Sequence, residues 1–241
     1  MDKTLNKDHN KKNWIPMPFQ EAAKKLASDA VNRFAKSNQI LGLGSGPMAA
    51  AIVKEMDKLS NKQSLYCITS STQIKCEAED VGLKIVDEYM IPEIDIVFDG
   101  ADQIDAEYNM IKGGGGALLK EKVLHSTAKI IIIAAESFKY VKSFNRSVPI
   151  EIHPFAMHII KSKLQSLDAE PKLRMLDEGY PYVTENGNFI FDTVFPSIQD
   201  VAKKEYELKS IPGILEVGLF SRRADVYYKA NDDGSYDVIK F

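Results

Sequence analysis

Two short segments hold most of the chemistry available to this chain. One is Asp99-Gly100-Ala101-Asp102-Gln103-Ile104-Asp105; the other is Lys112-Gly113-Gly114-Gly115-Gly116-Ala117, with Glu121 following it. An apolar run, Ile94 to Phe98, stands directly before Asp99. A buried strand is therefore expected to end in carboxylates, followed by a lysine, a glycine run and a carboxylate on a helix. Ligands of open α/β sheets bind at the carboxyl ends of the strands. Successive glycines let backbone N–H groups approach an anion closely. Abstracting a proton next to a carbonyl needs a base near the carbon, and groups that give or take protons at the oxygens. Asp99, Asp102 and Lys112 suit the second role. An isolated helix glutamate ordinarily faces solvent; only its neighbours make Glu121 a candidate for the site. The pattern points to proton transfer on a small phosphorylated molecule.

These residues need a scaffold, and the apolar spacing supplies one. Residues 19–35 have helical period, with Ala22, Leu26, Ala30 and Phe34 on one face. A strand at 40–43 leads through Gly44-Ser45-Gly46-Pro47 into a helix over 48–59, with Pro47 suited to its first turn. Strand 65–68, helix 73–80, a minor strand at 83–86, strand 94–98, helix 116–125 and strand 130–134 follow. Strands alternating with helices predict an α/β fold, a mostly parallel sheet with helices on both faces. After Val148 the rhythm changes. Strand 148–152, helix 155–167, strand 173–176, a hairpin of 182–184 with 189–191 around Asn186-Gly187, helix 198–208 and strand 214–217 approximate β-α-β-β-α-β. That order predicts a smaller ferredoxin-like α+β domain. A closing hairpin, 224–228 with 236–239, returns to the first sheet.

Composition narrows the function classes. The chain has 241 residues and a formal net charge of −3, so nothing global points to nucleic acid or an anionic membrane. The longest apolar run, Ile130 to Ala135, is far below the roughly 18 residues of a membrane span. The polar N-terminus shows no signal-peptide core, and Cys67 and Cys76 have no metal-like or CxxC spacing, so a reducing, cytoplasmic setting is expected. His153 and His158 lack supporting ligands and read as surface or interdomain residues. Gly42-Leu43-Gly44-Ser45-Gly46 is a weak dinucleotide fingerprint. The next strand ends in Thr69-Ser70 where a ribose-binding acid belongs, which disfavours NAD and leaves a smaller phosphate site open.

With DGADQID at Asp99 to Asp105, KGGGGA at Lys112 to Ala117 and Glu121 in view, the chain resembles the type A ribose-5-phosphate isomerases over residues 20–241. Weaker supports are Val148 to Ile152, Ile211-Pro212-Gly213 and Gly218-Leu219-Phe220. The resemblance implies a Rossmann-like catalytic domain (19–147 and 219–241), a lid domain (148–218) and a polar tail (1–18). It implies interconversion of D-ribose 5-phosphate and D-ribulose 5-phosphate through an enediol(ate) with no metal or organic cofactor. Glu121 matches the general base, Asp99 and Asp102 the acids at the sugar oxygens, and Lys112 the oxyanion-stabilising cation. Gly100, Ala101, Gly113, Gly114 and Gly115 line the substrate, and Lys24 and Lys139 match substrate-facing lysines. The expected partner is a sugar phosphate, with no nucleic acid and no membrane, in a homodimer or tetramer. One departure is notable. The family's Gly-Thr-Gly-Ser-Thr phosphate loop reads Gly44-Ser45-Gly46-Pro47-Met48 here, losing two hydroxyls and one N–H. Each lost bond to a charged group costs roughly 1.5–3 kcal/mol, so a weaker phosphate grip is expected. A non-catalytic sugar-phosphate binder, or an isomerase of a related sugar, is the alternative.

Overall fold

The structure, a computed structural model, describes residues 15–87 and 93–241. The expected N-terminal tail lies outside the described residues up to position 14. Ile15 packs against the core, Pro16, Met17 and Pro18 are exposed, and Phe19 is buried with its ring 5.4 Å from that of Phe138.

The principal sheet is built from β1 (Ile40–Leu43), β2 (Tyr66–Thr69), β3 (Lys84–Ile85), β4 (Ile94–Gly100), β7 (Ala128–Glu136), β13 (Val226–Ala230) and β14 (Tyr236–Lys240), in the order β14-β13-β7-β4-β1-β2-β3. All neighbours are parallel except β13 with β14. Side chains alternate between the faces with the strand period of two. Ile96, Phe98, Ile132, Ala134 and Tyr228 join the core beneath α1 (Gln20–Phe34), α2 (Gly46–Met56) and α3 (Thr72–Asp80). Val97, Ile131, Ile133 and Tyr227 join a second core with Leu124 of α4 (Leu118–Thr127). Coverage on both faces explains why β4 and β7 read as continuous apolar runs.

The second sheet contains β8 (Val148–Ile152), β9 (Glu170–Leu173), β10 (Phe189–Val194) and β11 (Ile214–Val217), in the order β11-β8-β10-β9 and antiparallel throughout. With α5 (Met157–Gln165) and α6 (Val201–Lys209) the chain order is β-α-β-β-α-β. Ile160, Leu164, Val201 and Leu208 pack its own core. A third, small sheet joins β5 (Gln103–Ile104) and β6 (Met110–Ile111), which follow β4 in the chain, to β12 (Leu219–Phe220), which follows β11.

Two expected strands are corrected. The second strand of this unit is Glu170–Leu173, not 173–176; Met175 and Leu176 are exposed and outside any ladder strand. Residues 182–184 are not an arm of a hairpin with 189–191. The turn from Thr184 to Asn188 forms, but it wraps the buried Glu151 carboxylate, whose Oε1 accepts from Thr184 Oγ1, Asn186 Nδ2 and Asn188 Nδ2 at 2.8–3.0 Å. That anchoring turns the preceding segment away from the sheet, and β10 pairs with β8 and β9 instead.

Candidate active site

Asp99 ends β4, and Glu121 lies in the first turn of α4, which starts directly after the glycine run. Lys112 follows β6 and is fixed by its own N–H on Gly218 O and by the pairing of β6 with β12. The three side chains converge. Lys112 Nζ lies 3.0 Å from Asp99 Oδ2 and 3.2 Å from Glu121 Oε2, and donates to Gly100 O at 2.6 Å. All three are buried, with Asp99 at 0 % and Glu121 at 2 % exposure. Gly44 makes the approach possible, because a Cβ there would overlap the Asp99 carboxylate.

Asp99 is saturated. Oδ1 accepts from Gly100 N at 2.7 Å and Ser45 N at 3.3 Å; Oδ2 faces Lys112 and His125 Nε2 at 2.9 Å. Burial raises an acid, yet here the Lys112 ammonium and the His125 bond prevail, and the Asp99 carboxyl is held below its ordinary range. Burial alone would lower Lys112, but Asp99 and Glu121 raise it, so it stays charged. Glu121 is pushed up to about 7, first by burial and then by the Asp99 charge, against the pull of Lys112 and the Ser45 hydroxyl. Two carboxylates on one lysine are thus driven apart, one ionised and one poised near neutrality, the arrangement that divides acid and base roles. Ser45 Oγ donates to Glu121 Oε1 at 2.6 Å, while Oε2 has no hydrogen-bond partner. That oxygen has a lone pair for a proton.

Beside this cluster lies a cavity of about 140 Å³, lined by Ser45, Gly46, Ser70, Gly115, Lys120 and Tyr182 among others. Ser45 connects it to Glu121. The N-terminus of α2 opens at its wall with no side-chain cap, because Ser45 spends its hydroxyl on Glu121. Uncapped N–H groups at a helix start favour an anion.

The remaining predicted residues divide. Asp102 is half-buried and accepts the Gly114 N–H on Oδ2 at 2.7 Å, so that amide is already engaged. Gly100 serves through its carbonyl to Lys112, and Ala101 is buried beside it. Pro47 is half-buried in the first turn of α2. Met48 turns its side chain into the core, so only its backbone is available to a ligand. Lys24 is exposed on α1, and Lys139 pairs with Glu136 at 2.7 Å; neither lines the cavity.

Three contributors escaped the sequence reading. His125 lies four residues after Glu121 on the same helix face, a spacing that was available as a signal. Arg174 donates Nη1 to Gly113 O at 3.0 Å and Gly114 O at 3.1 Å while its other nitrogens grip Asp192. Tyr182 donates its hydroxyl to Gly115 O at 3.0 Å. Gly116 has φ +84°, and a Cβ there would collide with the Tyr182 ring and hydroxyl. The second sheet's segment therefore clamps the glycine loop. Among the described residues no cluster of His, Cys, Asp and Glu has the geometry to hold a metal, and no helix is long and apolar enough to cross a membrane.

A buried carboxyl base backed by a lysine, at the carboxyl ends of parallel strands, defines an α/β protein built for acid–base chemistry on a small ligand. Comparison with known proteins makes this specific. The family model of ribose 5-phosphate isomerase A (phosphoriboisomerase A) matches residues 66–234. The chain is 33% identical over 219 residues to ribose-5-phosphate isomerase A of Methanosarcina acetivorans, covering 90% of this chain and 93% of that protein. It is 35% identical to the ribose-5-phosphate isomerase of Dictyostelium discoideum, covering 92% and 99%. A solved D-ribose-5-phosphate isomerase in complex with phospho-erythronic acid superposes with a TM-score of 0.85 at 32% identity, over 92% of this chain and 99% of that one. This chain belongs to the ribose 5-phosphate isomerase A family.

Proposed function

We propose that the chain interconverts D-ribose 5-phosphate and D-ribulose 5-phosphate, the aldose–ketose step of the non-oxidative pentose phosphate route. The observation that carries this is Glu121, a buried carboxyl pushed up to about 7, whose Oε2 accepts no hydrogen bond and faces the charged Lys112 at 3.2 Å. Glu121 Oε2 takes the proton from C2 of the open-chain aldose, and the electron pair moves to give a cis-enediolate. The same carboxylic acid returns the proton to C1. Lys112 stabilises the developing oxyanion, and Asp102, the half-buried acid of the set, relays protons between the sugar oxygens. Asp99, with every lone pair engaged, holds Lys112 in place rather than touching substrate. Arg174 and Tyr182 hold the glycine loop ahead of the Glu121 helix through the carbonyls of Gly113, Gly114 and Gly115. Phosphate seats at the open start of α2, held by the backbone amides of its first turn, since the Ser45 hydroxyl and N–H are engaged on Glu121 and Asp99. The resemblance also supports a homodimer or homotetramer acting in the cytoplasm.

The decisive assay is ribulose 5-phosphate formation by the purified chain and by Glu121→Gln. Loss of at least about 100-fold in kcat is expected for the variant; equal rates would remove Glu121 from the chemistry. The reduced α2 loop favours a second reading, a related sugar with less demand on phosphate. Free D-ribose assayed in parallel separates the two.

A further inference from the structure

His125 is buried at 3 % exposure, touches no substrate-facing surface, and has one ring nitrogen on Asp99 and the other, Nδ1, without a partner. The groups around it are few. Asp99 comes from β4, Lys112 from the segment after β6, and Glu121 and Lys122 from its own helix. Phe220 of β12 stands edge-on to the ring at 5.3 Å, and Arg222 reaches the His125 carbonyl, not the ring. Asp99 already accepts from three other donors, so it holds no proton of its own and Nε2 must be the donor. A proton on Nδ1 as well would leave a buried donor unpaired, which is costly. The imidazole is therefore neutral and of a single tautomer.

We propose that His125 is a positioning residue for the isomerisation: its Nε2–H on Asp99 Oδ2 keeps Lys112 shared between Asp99 and Glu121. This rests on the functional reading above. Oδ2 receives both Lys112 and His125. Take the imidazole away and that oxygen has only the ammonium left, so Lys112 is drawn toward Asp99 and away from Glu121, now 3.2 Å distant. Glu121 then loses its nearest counter-charge, and its base form is reached only at higher pH.

The test compares pH profiles of kcat for the unaltered enzyme, His125→Leu and His125→Gln, with folding checked by circular dichroism. A glutamine amide N–H reaches the position of Nε2, so it restores the donor. In His125→Leu the rising limb is expected to move up by about one pH unit, the size of one lost charge-assisted bond. In His125→Gln it stays with the unaltered enzyme. A folded leucine variant with an unmoved limb overturns the proposal, as does a glutamine variant that behaves like leucine. Nitrogen-15 NMR of the unaltered protein at pH 7 gives an answer independent of any variant's folding. The Nε2-protonated neutral ring is expected; an imidazolium or an Nδ1-protonated ring overturns it. Absence of isomerase activity in the unaltered chain is a separate outcome that refutes the functional reading, while the NMR result still decides the His125–Asp99 bond.

Discussion

Glu121→Gln should stabilise this protein at alkaline pH while destroying its activity, and the size of the effect follows from the site. The folded protein holds the Glu121 carboxyl at about 7, against an ordinary 4.5. An acid whose folded pKa lies above its unfolded value binds protons preferentially in the native state. Its contribution to stability is full below the unfolded value and is lost as pH rises through the folded one. Two and a half units correspond to on the order of 3 kcal/mol at pH 8. Glutamine cannot ionise and keeps an acceptor for Lys112 or Ser45, so it avoids that penalty. For a chain of this size the gain is roughly 6–12 °C in Tm. At pH 5 the native carboxyl is already protonated, and the difference shrinks to below about 1 kcal/mol. Thermal melts of both proteins at pH 5 and pH 8, by circular dichroism, measure the gap. An equal gap at the two pH values, or a less stable variant at pH 8, would refute the claim that burial and Asp99 raise this carboxyl.

Other outcomes follow from the same geometry. Pro47→Ser adds an N–H and a hydroxyl at the open end of α2, and KM for ribose 5-phosphate should fall severalfold with kcat little changed; an unaltered KM would place the phosphate elsewhere. Asp102→Asn should lower kcat by about 100-fold with a melting temperature near that of the parent. Asp99→Asn should lose both activity and stability, since Lys112 and His125 both face that carboxyl; a stable, active Asp99→Asn protein would contradict the saturation of its lone pairs. Gly44→Ala should fail to accumulate as soluble protein or melt several degrees early, because the methyl overlaps Asp99.

The sheet was legible wherever burial on both faces made strands continuously apolar, as at Ile94–Phe98 and Ile130–Ala134. It was least legible at β9. Glu170-Pro171-Lys172-Leu173 is the outer strand of its sheet, where proline is tolerated and half the side chains meet water, so it has little apolar signal. The more apolar Met175 and Leu176 drew the strand toward themselves although they lie exposed. In the site, Asp99, Lys112 and Glu121 were visible because their types cluster in sequence around glycines. Arg174 and Tyr182 were not, because they act from some 60 residues away through backbone carbonyls, which have no sequence signature. Met48 shows the opposite limit: its position in the loop motif suggested ligand contact, but an apolar side chain in the first turn of α2 is drawn inward.

Strand β13 has a consequence for the making of the molecule. It pairs along β7, in register from Val226 opposite Ile132 to Ala230 opposite Glu136, yet residues 137–225 and a complete second sheet intervene. During translation β7 leaves the ribosome long before its outer neighbour exists, presenting an isoleucine-rich rim ready to pair with a strand from any nascent chain. The β8–β11 ladders pair only with one another and can form in that interval, docking on the glycine loop already made, whereas the larger sheet must wait. Synthesis halted between the two strands would yield a sticky intermediate, and chaperone engagement should be strongest over that window.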